Sequence, residues 1–153
     1  MDEIAKNRKN KAKKFLRFFM MDTPELNTLI RAYESDDDML EFALEMSIED
    51  YNITAPVMSK VGWHNFPSLF LLLHGAAIQL LKSQGLKQTR NQATYNSGGS
   101  SFVRSDKGPA YQQWLINFSS EYEAKKRNYK MTVNINNGWG GVSSEFERVG
   151  YAW

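Results

Sequence analysis

Phe66-Pro67-Ser68-Leu69-Phe70-Leu71-Leu72-Leu73-His74-Gly75-Ala76-Ala77-Ile78-Gln79-Leu80-Leu81 is the most apolar stretch of the chain. It is too short to span a bilayer, and Pro67, His74, Gly75 and Gln79 interrupt it. It predicts a buried core helix from about Pro67 to Gln84, about 27 Å long, with Gly85 as a C-cap or a tolerated break. A helix with so little polar surface needs partners on most sides, so the flanking sequence must supply them.

Upstream, Ser35-Asp36-Asp37-Asp38 opens a second helix. Ser35 is the expected cap, and the three carboxylates suit the positive helix end. Asp38, Glu41, Glu45 and Glu49 then form one polar stripe. Met39, Leu40, Phe42, Ala43, Leu44 and Met46 cover most of the remaining circumference. Apolar residues on two sides imply contact with the domain core on one and with a neighbouring subunit on the other. Met39, Phe42 and Met46 are therefore candidate subunit-interface residues. Before this helix, Thr23-Pro24-Glu25 reads as a helix start, and Leu26, Leu29, Ile30 and Tyr33 repeat at helical spacing, predicting a further short helix. Residues 52–65 read as a loop.

Downstream, residues 91–107 form a loop in which Asn96-Ser97-Gly98-Gly99 marks a turn, so a small β-hairpin is compatible. Pro109 opens a last long helix carrying Tyr111, Trp114, Leu115, Phe118 and Tyr122 at helical spacing. Lys125, Lys126, Arg127 and Lys130 then suit its C-terminal end. Beyond Met131 the helical pattern breaks. Thr132 to Trp153 mixes Asn and Gly with Trp139, Val142, Phe146, Val149, Tyr151 and Trp153. This composition suits an extended arm, reaching roughly 70 Å at full stretch, whose aromatics insert into pockets on a partner. The alternative is an arm folded back on its own domain. Trp139, Val142, Phe146, Tyr151 and Trp153 are the candidate partner-binding residues.

The fold class is thus mainly α. A small helical bundle (22–131) carries a loop or β-hairpin insertion, follows a basic N-terminal helical extension (1–21) and precedes an extended aromatic C-terminal arm (132–153).

The net charge of +2 conceals segregation. Residues 1–21 carry seven Lys/Arg against Asp2 and Glu3, residues 22–50 carry ten acids against Arg31, and residues 51–153 carry eleven bases and five acids. Blocks of opposite sign suggest contact with different neighbours or with copies of the same chain, or else simply solvated faces. In the first block, Lys9, Lys13, Lys14 and Arg17 are candidates for contact with DNA phosphates or with an acidic protein surface.

Catalytic chemistry has little to stand on. The absence of cysteine excludes disulfides, thiolate nucleophiles and Cys-based zinc sites. The two histidines, His64 and His74, stand ten residues apart without a metal-ligand spacing, and His74 reads as a satisfied core residue. Asp36-Asp37-Asp38 lacks the Gly turn and distal Glu of a calcium loop. Neither Gly98-Gly99 nor Gly138-Trp139-Gly140-Gly141 matches a phosphate-binding loop, and there is no GxSxG. No catalytic, cofactor or metal residue is nominated, and an enzyme is not expected.

Two stretches carry a family resemblance. One runs from Pro24-Glu25-Leu26 through Asp36-Asp37-Asp38-Met39-Leu40 to Ile53-Thr54-Ala55-Pro56. The other runs from Asn91 to Lys130, with Ser97-Gly98-Gly99-Ser100-Ser101, an Asp106 lead-in, Tyr111-Gln112-Gln113-Trp114, and Tyr122-Glu123 before a Lys/Arg-rich segment. Together with the apolar helix between them, covering residues 22–131, they resemble the head–tail connector (adaptor) proteins of tailed bacteriophages. The resemblance implies a helical bundle assembling as a ring, commonly of twelve copies, beneath the portal protein. It also implies an arm docked on the portal, a further neck or tail protein below, and a channel passing genomic DNA. Location in the virion neck follows, after assembly in the host cytoplasm, with no membrane partner and no cofactor. The basic N-terminal segment has no place in that pattern. Two alternatives are another neck or tail-completion protein, a class usually richer in β-structure, and a small non-specific nucleic-acid-binding protein using the basic N-terminus.

Overall fold

The computed structural model describes residues 3–28, 30–57, 59–90, 95–97, 100–102 and 108–139. Four helices dominate: α1 (Glu3–Met20), α2 (Asp37–Ile53), α3 (Leu69–Arg90) and α4 (Gly108–Trp139). Between α3 and α4, the three-residue strands β1 (Tyr95–Ser97) and β2 (Ser100–Phe102) pair antiparallel, Tyr95 opposite Phe102. The Gly98-Gly99 turn, Asp106, and the arm residues Val142, Phe146, Tyr151 and Trp153 lie outside the described residues.

The apolar run becomes α3, which packs against α1, α2 and α4. By length and composition alone its segment Leu69–Lys87 would suffice to cross a membrane, but half of it is buried within the bundle. Leu72, Ala76, Ala77 and Leu80 of α3 close on Leu40, Ala43, Leu44 and Ile48 of α2, and Ala12 and Leu16 of α1 complete this cluster. A second cluster joins Leu71 and Ile78 of α3 to Tyr51 of α2 and Tyr122 of α4. The helix does not stop near Gln84 but continues through Gly85 to Arg90. One interior Gly costs only about 1 kcal/mol relative to Ala, too little to end a helix whose preceding turns are anchored by burial.

Small residues set the α2–α3 distance. Ser47 is buried, and its Oγ donates to the Leu72 carbonyl at 3.1 Å. A Cβ added at Gly75 would overlap Ser47 Oγ and stand 3.0 Å from Tyr122 Oη. Gly75 is therefore the point where three helices converge, and its missing side chain is what lets them.

The basic N-terminal segment is a bundle helix, not an appendage. α1 buries Ala12 and Leu16 completely and ends on Met21, whose φ of 55° places it in the left-handed region. Met21 N–H donates to Phe18 O at 3.2 Å and Asp22 N–H to Arg17 O at 3.0 Å, the paired bonds of a Schellman ending. A methionine there is strained where glycine would be relaxed, which is why composition gives no sign of this cap.

The short helix expected over residues 23–33 does not form. The segment makes isolated turns, such as Asn27 N–H to Thr23 O at 2.9 Å and Arg31 N–H to Asn27 O at 2.7 Å. Leu26, Ile30 and Tyr33 are exposed and find no groove. The organising group is Asp22, buried at the α1 exit. Its carboxylate accepts from Asn27 Nδ2 at 2.7 Å, Glu34 N–H at 2.7 Å, Ser35 N–H at 3.1 Å and Arg17 at 3.3 Å. Four bonds to one buried carboxylate outweigh the marginal propensity of a ten-residue helix. They hold Ser35 by its backbone N–H, and the N-cap of α2 is Asp36 rather than Ser35, accepting from Met39 N–H at 2.7 Å.

α4 begins at Gly108–Pro109, with Pro109 in the first turn, and runs 32 residues to Trp139. The first eight residues assigned by sequence to the extended arm are thus helical. Thr132 satisfies its hydroxyl by back-bonding to Asn128 O at 2.9 Å. No proline interrupts the segment, and weak helix formers propagate a helix that is already nucleated and anchored.

Substituting Gly75→Ala forces Ser47 and Tyr122 apart and is expected to destabilise the fold by about 1–3 kcal/mol. Equilibrium urea unfolding measures this, and an unchanged midpoint would show that the crossing is looser than described.

Candidate assembly interface

Two sets of charges hold α1 and α4 against the central pair. Lys9, Lys13 and Arg17, spaced four apart on one face of α1, point at the acidic start of α2. Lys9 bonds Glu41 and lies 3.6 Å from Glu45, Lys13 bonds Asp37 at 2.9 Å, and Arg17 bonds Asp37 at 2.7 Å while stacking on Tyr33. The bond to Glu41 raises the Lys9 ammonium above its ordinary value. The bonds from Arg17 and then Lys13 hold the Asp37 carboxyl below its own. Three of the four cations named as contacts for DNA or an acidic partner are therefore engaged by acids of the same chain. Lys14 faces outward, its ammonium 5.8 Å from the Phe18 ring.

α4 is locked by Tyr122, Lys126 and Lys130, again four apart. Tyr122 Oη donates to Asp50 Oδ2 at 2.8 Å, and Lys126 Nζ reaches the same oxygen at 2.6 Å and Glu123 at 2.8 Å. Burial, reinforced by the Asp50 charge, drives the Tyr122 phenol far above its ordinary range, so it remains a donor. Lys130 donates to the Tyr51 carbonyl at 2.7 Å and to that of Thr54. Its charge thus sits at the C-terminal end of α2, where the helix dipole favours a cation. Both lysines are almost completely buried. In the sequence they read as cations suited to the end of their own helix. The usable signal was their four-residue spacing with Tyr122, which aligns all three on one face.

With α1 and α4 secured, the outer face of α2 is left open. Phe42 is 60% exposed and Met46 40%, and Met39 is partly exposed. Met39 and Phe42 border a recess of about 270 Å³ with Asp36, Asp38, Ala43, Leu80 and Ser83. The three residues expected at a subunit interface therefore share one accessible face, rimmed by Asp38, Glu45 and Glu49. Trp139 closes α4, and the other four arm residues lie outside the described residues.

A second surface surrounds His74. The imidazole is buried between Phe70, Phe19 and Phe118, with ring centroids at 4.1, 5.1 and 5.5 Å. It is a core residue, but not a satisfied one, since Nδ1 has no hydrogen-bond partner among the described residues. Burial pulls its pKa below the ordinary value, against the pull of the Glu121 carboxylate. Among the described residues no three His, Asp or Glu side chains gather as a metal cluster. Against family models, curated proteins and solved structures, the chain has no match.

The depressed His74 and Asp37 values predict a two-stage loss of stability in acid. Below pH about 6.5 the unfolded chain takes up the His74 proton before the folded chain does, so stability falls. Below pH about 4 the Asp37 pairs are lost as that carboxylate protonates. Thermal unfolding across pH 3–8 follows both stages. His74→Phe should abolish the first and keep the second, whereas an unchanged first stage would assign it to another group.

Proposed function

We propose that this chain is a structural virion protein, a head–tail connector (adaptor) subunit. It forms a ring beneath the portal of a tailed bacteriophage, joining capsid to tail around a channel for DNA. The observation that carries the reading is the open apolar face of α2, edged by carboxylates, on a bundle whose inward α1 cations and α4 lysines are already paired internally. An exposed apolar patch bounded by charge is the usual mark of a protein–protein contact. The mainly helical fold favours an adaptor over a β-rich tail-completion protein. The internal pairing of Lys9, Lys13 and Arg17 weakens the nucleic-acid alternative.

In this reading the ring wall is built from α2, α3 and α4, and the β1–β2 pair is the hairpin insertion. Trp139, Val142, Phe146, Tyr151 and Trp153 form the arm that engages the portal. The protein needs no cofactor, metal or catalytic group, and its action is geometric. It sits in the virion neck, after assembly in the host cytoplasm.

Native mass spectrometry of the concentrated chain tests this. The expected species is a closed ring, about 210 kDa for roughly twelve copies of 17.6 kDa. A continuous distribution of open chains, or monomer alone both with and without a portal ring supplied, would remove the reading.

A further inference from the structure

We infer that the outer face of α1 in one copy docks antiparallel on the outer face of α2 in the next. This interface between copies rests on the reading of the chain as a self-assembling subunit. The inner face of α1 spends Lys9, Lys13 and Arg17 on its own α2. The outer face keeps a second set. Lys11 and Lys14 are exposed, they contact only the rings of Phe15 and Phe18, and no carboxylate lies within 4 Å of either among the described residues. Phe18 beside them is 56% exposed. The outer face of α2 has the complementary character. Asp38 has no cation within 4 Å among the described residues, Glu45 and Glu49 are exposed with only a longer 3.6 Å approach from Lys9 and Lys60 of their own chain, and Phe42 and Met46 supply the apolar contact.

The spacing fits as well as the charge. Asn7, Lys11, Lys14 and Phe18 follow each other at intervals of four, three and four, and Asp38, Phe42, Glu45 and Glu49 do the same. Residues at such intervals lie along one side of a helix. Run antiparallel, they set Lys14 between Asp38 and Phe42, and Lys11 beside Glu45. The intramolecular pair already uses this direction, since Lys9 meets Glu41 while Arg17 meets Asp37. The two faces differ, so the contact is heterologous. Every copy presents one of each, and repetition generates a ring or a filament.

The test is a charge exchange in the full chain, read by analytical ultracentrifugation. K11E/K14E and D38K/E45K each place like charges across the contact, and each alone should weaken association about tenfold or more. Mixed in equal amounts they restore opposite charges at alternate contacts, and association should return to within about threefold of wild type. High salt should weaken the wild-type contact in parallel. Circular dichroism confirms folding, and K11Q/K14Q with D38N/E45Q replaces any variant that fails to fold, read as loss of association alone. Variants that associate like wild type, or folded variants that do not recover on mixing, overturn the inference, as does a chain that stays monomeric at every concentration. A ring of full native mass that ignores the exchange overturns this interface but leaves the ring reading standing. Exchange-sensitive dimers or filaments that never close support the interface and remove the ring.

Discussion

The structure depends on the close crossing of α2 and α3 at Ser47 and Gly75. Only a residue without a side chain at Gly75 admits Ser47 from one side and Tyr122 from the other. Close approach there lets Ala43, Ala76 and Ala77 bury fully and brings Tyr122 within reach of Asp50. From that anchor α4 extends Lys126 and Lys130 over the end of α2. Packing places these lysines, and the buried carboxylate and carbonyls offset the cost of desolvating them. A buried cation leaves its partners orphaned if removed, so this contact contributes specificity of arrangement at least as much as stability.

Under the proposed assembly, charge segregation in the sequence has a double use. The acidic block of α2 first neutralises the basic inner face of α1, turning what looks like a polycationic tail into a packed helix. What remains is directional: a basic, aromatic face on α1 and an acidic, apolar face on α2. A monomer in isolation gains nothing from such a pair of faces. A chain that repeats itself around an axis uses both.

Much of the fold is legible in residue order alone. The apolar run around Leu69–Leu81 specifies a core helix because nothing polar is available for solvent. The Asp36–Asp38 cluster marks the start of α2, and Pro109 marks that of α4, since both signals act within one helical turn. The failures share a cause. Residues 23–33 have a helical pattern, but Asp22 captures the backbone amides of Glu34 and Ser35 and holds the segment as turns. α1 looks detached because its carboxylate partners on α2, Asp37 and Glu41, lie 20 to 32 residues away. Lys126 and Lys130 look like surface cations because their acceptors, Asp50, Tyr51 and Thr54, are more than seventy residues distant. Local periodicity can align such residues on one face, but it does not name the distant partner that the tertiary fold brings to them. Of the candidate site, the exposure of Phe42 and Met46 follows from α2 having more apolar circumference than one core contact can cover. The internal commitment of Lys9, Lys13 and Arg17 does not.

In the proposed assembly, α1 of one copy covers the α2 face of another. Because the chain contains no cysteine, single cysteines can report this contact without background. A chain carrying Lys11→Cys is mixed with one carrying Glu45→Cys, oxidised mildly and analysed by non-reducing electrophoresis. The account predicts a disulfide-linked dimer joining the two different chains, and little linkage within either chain alone. Linkage of each variant only to itself, or none in the mixture, would contradict it.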